Sequence, residues 1–298
     1  MPNDKERKMK RKFILGILLG VMAAGSYGNE SDGIFFCKVG QFEVYMLVES
    51  QRSGNAGILT GADEATMAAL LARYIPAGGF NHSANAFLVK TPEKIILVDT
   101  GTGTGGIILE KMKKLGVEPD QVDAVLITHL HGDHFGSLQK DGRAVFTKAK
   151  IYLSFREREY WTKTNVNQGA AAALAPYGSR VETFEPVHLG GAFRELFPGI
   201  TPIAAYGHTP GHTIFLVENS GDKLLIIGDL LHVALVQFPV PEISATYDSD
   251  PQTSAVIRRQ VLDYAAKNRI PVGGMHIVFP GMGTVEAAGE GFRFLPAD

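Results

Sequence analysis

Thr128-His129-Leu130-His131-Gly132-Asp133-His134 sets four metal-binding side chains within six positions, directly behind the apolar run Asp123-Ala-Val-Leu-Ile-Thr128. This is the pattern of a strand that ends in a ligand cluster. In extended backbone residues two apart share a face, so His129 and His131 can offer two imidazoles to one ion. Gly132 lets the chain turn, and Asp133 and His134 can then reach a neighbouring second ion. A solvated histidine-rich loop is the bland alternative. Three His and an Asp at this spacing behind a strand argue against it.

Further ligands are expected at other strand ends and loops. His212 lies in the turn Gly207-His-Thr-Pro-Gly-His-Thr213, Asp229 follows the run Leu224-Leu-Ile-Ile-Gly228, and His276 follows Pro271-Val-Gly-Gly-Met275. Singly, each reads as a cap or a satisfied polar group. With the first cluster they make five His and two Asp, enough for two sets of N/O ligands.

Upstream, Asp99-Thr-Gly-Thr-Gly-Thr-Gly-Gly106 carries the Gly101, Gly103, Gly106 spacing of a dinucleotide-binding loop. Two features oppose that reading. Asp99 would stand beside a pyrophosphate, and the next strand ends in Thr128-His129 where a ribose-binding acid belongs. Elsewhere, strands are expected in two runs over Gly33 to Ser50, then over 85–89, 94–98, 123–128, 181–187, 200–206, 213–218, 223–227 and, last, 271–275. Asp63 caps a helix through Tyr74, Ser154 and Glu157 have capping-box spacing, and Asp250-Pro251 opens a long helix to about Lys267. Further helices fit 107–115 and 169–175. Strands and helices in two rounds indicate a layered α/β architecture.

The chain has 298 residues, 45% of them hydrophobic, so a large core is available. Residues 1–28 read as a secretory signal peptide: a basic start from Lys5 to Lys12, an apolar stretch from Phe13 to Ala24, and small residues around Ala24-Gly25-Ser26. An uncleaved anchor is the minority reading. Residues 29–298 then form the functional domain, exported to a periplasmic or extracellular compartment, with no stable membrane insertion after cleavage. Without the leader the formal charge moves from −2 to −6, which disfavours nucleic acid as a partner. The single Cys37 cannot form an internal disulfide, and nothing beside it would activate a thiolate. The expected partner is a small-molecule substrate, and a homodimer is compatible with the sequence.

Thr-His-x-His-x-Asp-His, Val98-Asp99-Thr-Gly101, the Gly-His-Thr-Pro-Gly-His turn, Gly228-Asp229 and the late His276 together resemble the metallo-β-lactamase superfamily, over residues 85–283. The resemblance implies a four-layer αββα sandwich with a dinuclear site at one edge. It implies that His129, His131 and His212 hold one metal, that Asp133, His134 and His276 hold the other, and that Asp229 bridges them. Asp99 would be a structural residue near the site. His208, the first His of the turn, has no ligand role in this reading. The bridging Asp229 departs from the β-lactamases proper. Glyoxalase II-like enzymes share the ligands, but their basic thioester-binding residues are missing around His276, where Ile277-Val-Phe-Pro-Gly-Met-Gly283 is apolar. That tail, with Gly228-Asp-Leu-Leu-His232 and Val236-Gln-Phe-Pro239, is most similar to the methyl parathion hydrolase and lactonase branch.

The activity so implied is metal-dependent hydrolysis of a small ester, lactone or phosphotriester, by a hydroxide held between two divalent ions. Asp133 and Asp229 would offset the cations' charge and position the hydroxide. N/O ligation favours zinc, with manganese, iron or cobalt as alternatives. His232, Phe238 and Phe279 are candidates for the substrate pocket, as are Phe80, His82 and Phe135. An iron-dependent oxidoreductase on the same fold, a thioester hydrolase and an inactive metal-binding protein are the competing readings.

Overall fold

The computed structural model describes residues 27–29, 31–76 and 79–298. Its organising strand is Phe42–Ser53, in which Val44, Met46 and Val48 point to one side while Tyr45 and Leu47 point to the other, and all five are buried. A strand buried on both faces belongs in the middle of layers. Val44, Met46 and Val48 join a core shared with Phe215, Val217, Ile226 and Met282 of a second sheet. Tyr45 and Leu47 join a core with Ile108 and Met112 from helix Ile107–Lys114 and Leu174 from helix Gln168–Leu174.

Among the described residues the first sheet has eight strands, ordered Tyr27–Asn29, Ile34–Val39, Phe42–Ser53, Asn81–Lys90, Ile95–Val98, Ala124–Leu126, Lys150–Ser154 and Val181–Phe184. The second has six, ordered Ile200–Ala204, Thr213–Asn219, Asp222–Ile226, Val272–Gly273, Met282–Ala288 and Gly291–Pro296. Its outer face packs Ile214, Leu216 and Leu225 on Val261, Leu262 and Ala265 of helix Pro251–Asn268. The result is the expected αββα sandwich.

Strand direction gathers the site. Ile95–Val98, Ala124–Leu126 and Lys150–Ser154 run parallel, so Asp99, the 128–134 stretch and Glu157 leave the sheet at the same edge. Asp222–Ile226 and Val272–Gly273 are also parallel, which brings Asp229 and His276 out together. Thr213–Asn219 runs antiparallel to Asp222–Ile226, so the turn before it, with His208 and His212, lies at that same end.

Several expectations need amendment. The strand at 271–275 is not the last: the hairpin Met282–Ala288 and Gly291–Pro296 follows, with Ala288 facing Gly291 across the turn. Exposed Glu286 and Arg293 interrupt its apolar content, and Gly289 at φ +61° makes the turn. Ser154 caps helix Phe155–Glu159 through the Glu157 N–H, but the Glu157 carboxylate does not return to Ser154. The glycine loop does not offer its amides to a phosphate, because the buried Glu49 carboxylate already accepts from the Thr102 and Gly103 N–H groups. The expected leader lies outside the described residues except for Tyr27 and Gly28, which open a strand paired with Phe35 and Phe36. Among the described residues no helix is long and apolar enough to cross a membrane.

Candidate metal centre

His129, His134, His208, His212, Asp229, His232 and His276 are all buried, while His131 and Asp133 are half-buried at the mouth of a cleft. His129, His131, His208 and Asp229 each place a ligand atom within 4.8 Å of one another, and so do Asp133, His134 and His276. Asp229 also groups with His232 and His276. Its Oδ2 lies 3.0 Å from His276 Nε2 and 3.4 Å from His208 Nε2, and its Oδ1 lies 3.2 Å from His134 Nε2. Asp229 therefore faces both groups. Six of the seven expected ligands converge as the sequence suggested.

The seventh is exchanged. His208 Nε2 stands 3.1 Å from His129 Nε2 and 3.0 Å from His131 Nδ1, inside the cluster. The expected ligand His212 is outside it, since both ring nitrogens are committed. Its Nδ1 bonds the Ala205 carbonyl at 2.9 Å, and its Nε2 accepts the Asp229 backbone N–H at 3.0 Å. His212 is thus a support beneath Asp229. Gly228, at φ +52°, is held to glycine here because a Cβ would lie 2.5 Å from His212 Nε2. Two His four apart in a tight turn both point inward, and only the three-dimensional path decides which of them reaches the cluster.

Four of the inward-facing rings, His129, His134, His208 and His276, are oriented by a partner on the far side. Asp99, fully buried, binds His134 Nδ1 at 2.7 Å and is itself fixed by the Thr128 N–H and hydroxyl. The Thr128 oxygen also meets His129 Nδ1 at 3.0 Å. His276 Nδ1 bonds the Ser83 carbonyl at 2.8 Å. Asp248 binds His208 Nδ1 at 2.9 Å, and the buried Arg258 holds Asp248 while donating to the carbonyls of Leu230, Pro241 and Ile243. Asp248 and Arg258 carry no signal in the sequence beyond their type.

With the outer nitrogens of these four rings as donors, their inner nitrogens are free to present lone pairs to a cation. Bare nitrogens at about 3 Å from each other and from carboxylate oxygens repel unless positive charge lies between them. His134 Nε2 and Asp229 Oδ1 are buried with no hydrogen-bond partner, which fits the same demand. Burial pushes His208 down to about 3, with the Asp248 hydrogen bond opposing, so that ring is neutral and competent as a ligand. At His134 burial also opposes charge, but Asp229, Asp133 and Asp99 carry it well above the usual histidine range. Burial raises Asp229, yet His134, His276 and His129 hold its carboxyl well below the ordinary carboxylate range. An all-N/O donor set with this appetite for charge fits divalent cations.

Two cavities meet at the centre. A cleft of about 700 Å³ is lined by His131, Asp133, Asp229, His232 and His276, with His82 and Tyr247 on its walls. A second cavity of about 780 Å³ shares His232 and His276 and is otherwise largely apolar, with Tyr74, Phe80, Phe238, Phe279 and Phe294. Phe238 and Phe279 therefore line the neighbouring cavity and not the cleft itself. Phe135 lies in the core under the first sheet.

Residues 80–268 match the family model described as the metallo-beta-lactamase superfamily. The N-acyl homoserine lactonase AiiA of Bacillus thuringiensis subsp. kurstaki is 29% identical over 167 residues, covering 47% of this chain and 61% of that protein. The chain thus spans about three fifths of the curated relative it matches. Among solved structures, the hydrolase AbOPH of the beta-lactamase superfamily superposes with a TM-score of 0.79 at 29% identity, covering 89% of this chain and 98% of that one. AidC, a dizinc quorum-quenching lactonase solved with its product, shares the fold at a TM-score of 0.78 and 24% identity, with 89% and 98% coverage.

Proposed function

Because the chain belongs to the metallo-beta-lactamase superfamily, we propose that it is a hydrolase dependent on two divalent ions, zinc first among them, that acts on a small ester, lactone or phosphotriester. The observation that carries this is the convergence of bare imidazole nitrogens on two sides of the Asp229 carboxylate. His129, His131 and His208 would hold one ion and Asp133, His134 and His276 the other, with Asp229 facing both groups. When bound, such a pair supplies a water activated near neutral pH and a Lewis acid for the scissile carbonyl or phosphoryl group.

The chain's own residues do the rest. Asp133, with its side chain 37% exposed, lies with His131 at the mouth of the cleft, and the two mark the side from which substrate approaches. His232 stands between the two cavities with Nε2 3.3 Å from Asp229 Oδ2 and Nδ1 without a hydrogen bond. It is placed to donate to or accept from a substrate that bridges cleft and cavity. The apolar part of the substrate lodges against Phe238 and Phe279. The lactonase relatives put lactones first among the candidates.

Elemental analysis combined with a panel of lactones, aryl esters, phosphotriesters and thioesters tests the reading. Two zinc ions per chain and a hydrolysis lost on chelation are expected. Full turnover by metal-free protein contradicts it, and iron with an oxygen-dependent reaction would replace it by an oxidoreductase.

A further inference from the structure

Glu157 is fully buried at helix Phe155–Glu159, and its carboxylate accepts four hydrogen bonds, two on each oxygen. Oε1 takes the Leu130 N–H at 2.8 Å and the Trp161 indole N–H at 2.6 Å. Oε2 takes the Thr209 hydroxyl at 2.7 Å and the Gly211 N–H at 2.9 Å. Leu130 sits between His129 and His131, and Thr209 and Gly211 follow His208 in its turn. One oxygen is thus tied to the loop that leaves the first sheet, the other to the turn between strands of the second. Trp161, aimed by the same carboxylate, lies edge-on to His131 with ring centres 5.5 Å apart. Contact with the turn is so close that a Cβ on Gly211 would fall 2.3 Å from the Glu157 nitrogen.

We propose that Glu157 is a positioning residue for the first ion: its two oxygens set the separation between the His129–His131 loop and the His208 turn, so that three imidazoles from two sheets meet at one point. This rests on the assignment of those three histidines to one ion. A carboxylate suits the place best. All four groups donate to it, three of them N–H groups that cannot accept, so an amide would set its own NH2 against at least one of these and weaken the tie to that loop.

The test is zinc titration of chelator-stripped full chain, with visible absorption of the cobalt-loaded protein as a second readout. Glu157→Gln should weaken zinc at the first site by about ten- to a hundredfold, leave the second site at its wild-type affinity, and alter the cobalt bands of one ion. Ser154→Ala serves as the control, because it removes the cap on the same helix and spares the carboxylate. It should lower Tm without weakening zinc. Two zinc ions bound by Glu157→Gln with wild-type affinity and an unchanged cobalt spectrum would overturn the proposal, as would equal zinc loss in Ser154→Ala. Should Glu157→Gln not fold, Thr209→Val removes one donor alone. A weakened first site there supports the proposal and wild-type zinc binding refutes it. If the unmodified protein binds no zinc, the assignment of the centre itself fails and the role of Glu157 falls with it.

Discussion

The two halves of the centre are supported by different means. Around His129, His131 and His208 two buried carboxylates act beside the Thr128 hydroxyl: Asp248 with Arg258 behind His208, and Glu157 across the two loops. Around Asp133, His134 and His276 the support is Asp99 on one ring and a backbone carbonyl on another, while Asp133 itself meets solvent. Both halves join imidazoles from the two sheets, His134 with His276 as well as His129 and His131 with His208, but only in the first does one carboxylate, Glu157, tie the two loops to each other. Both halves reach the cleft, the first through His131 and the second through Asp133 and His276.

The largest effect should come where the halves share a residue. Asp229→Asn is expected to lower zinc content at both sites and turnover on the order of a thousandfold; retained metal with an unchanged rate would show that the halves are independent. Next, His208→Ala should leave about one zinc per chain and cost on the order of a hundredfold in rate. His212→Ala, by contrast, should keep both ions while costing ~1–3 kcal/mol in stability from the unpaired Asp229 N–H and Ala205 carbonyl. The reverse pattern, measured by elemental analysis and thermal melts, would restore His212 as the ligand. Smaller still, Asp248→Asn should weaken only the first ion and Asp99→Asn only the second, each by about ten- to a hundredfold in affinity. A variant that weakens both equally would erase the distinction drawn between the halves. Smallest of all, Phe238→Ala should change the preference between short and long esters a few-fold (roughly the worth of one or two buried methylenes) with little change for the shortest substrate.

Much of this was legible in the chain. Short apolar runs bounded by turn residues placed most strands, and Asp63 and Asp250 cap their helices through the Thr66 and Thr253 N–H groups as their positions suggest. The cluster at 128–134 announces itself because its ligands are adjacent in sequence. What stayed hidden depends on contacts far apart. His208 and His212 are indistinguishable until the path of the turn is known, and the link from Asp248 to His208 spans 40 positions. Glu157 looked like half of a capping box, since its spacing from Ser154 is right for one. Its real partners are at Leu130, Thr209 and Gly211, and hydrogen bonds of that range leave no periodic trace. The terminal hairpin escaped because Gly283 and Gly291 dilute its β-forming content.

A zinc-loaded crystal examined by anomalous scattering would test the centre most directly. Two peaks are expected, one about 2.1 Å from the ring nitrogens of His129, His131 and His208 and the other at the same reach from His134 and His276, with Asp229 touching both and His212 touching neither. A single peak, or one bound by His212 in place of His208, would contradict the arrangement on which the proposed hydrolysis depends.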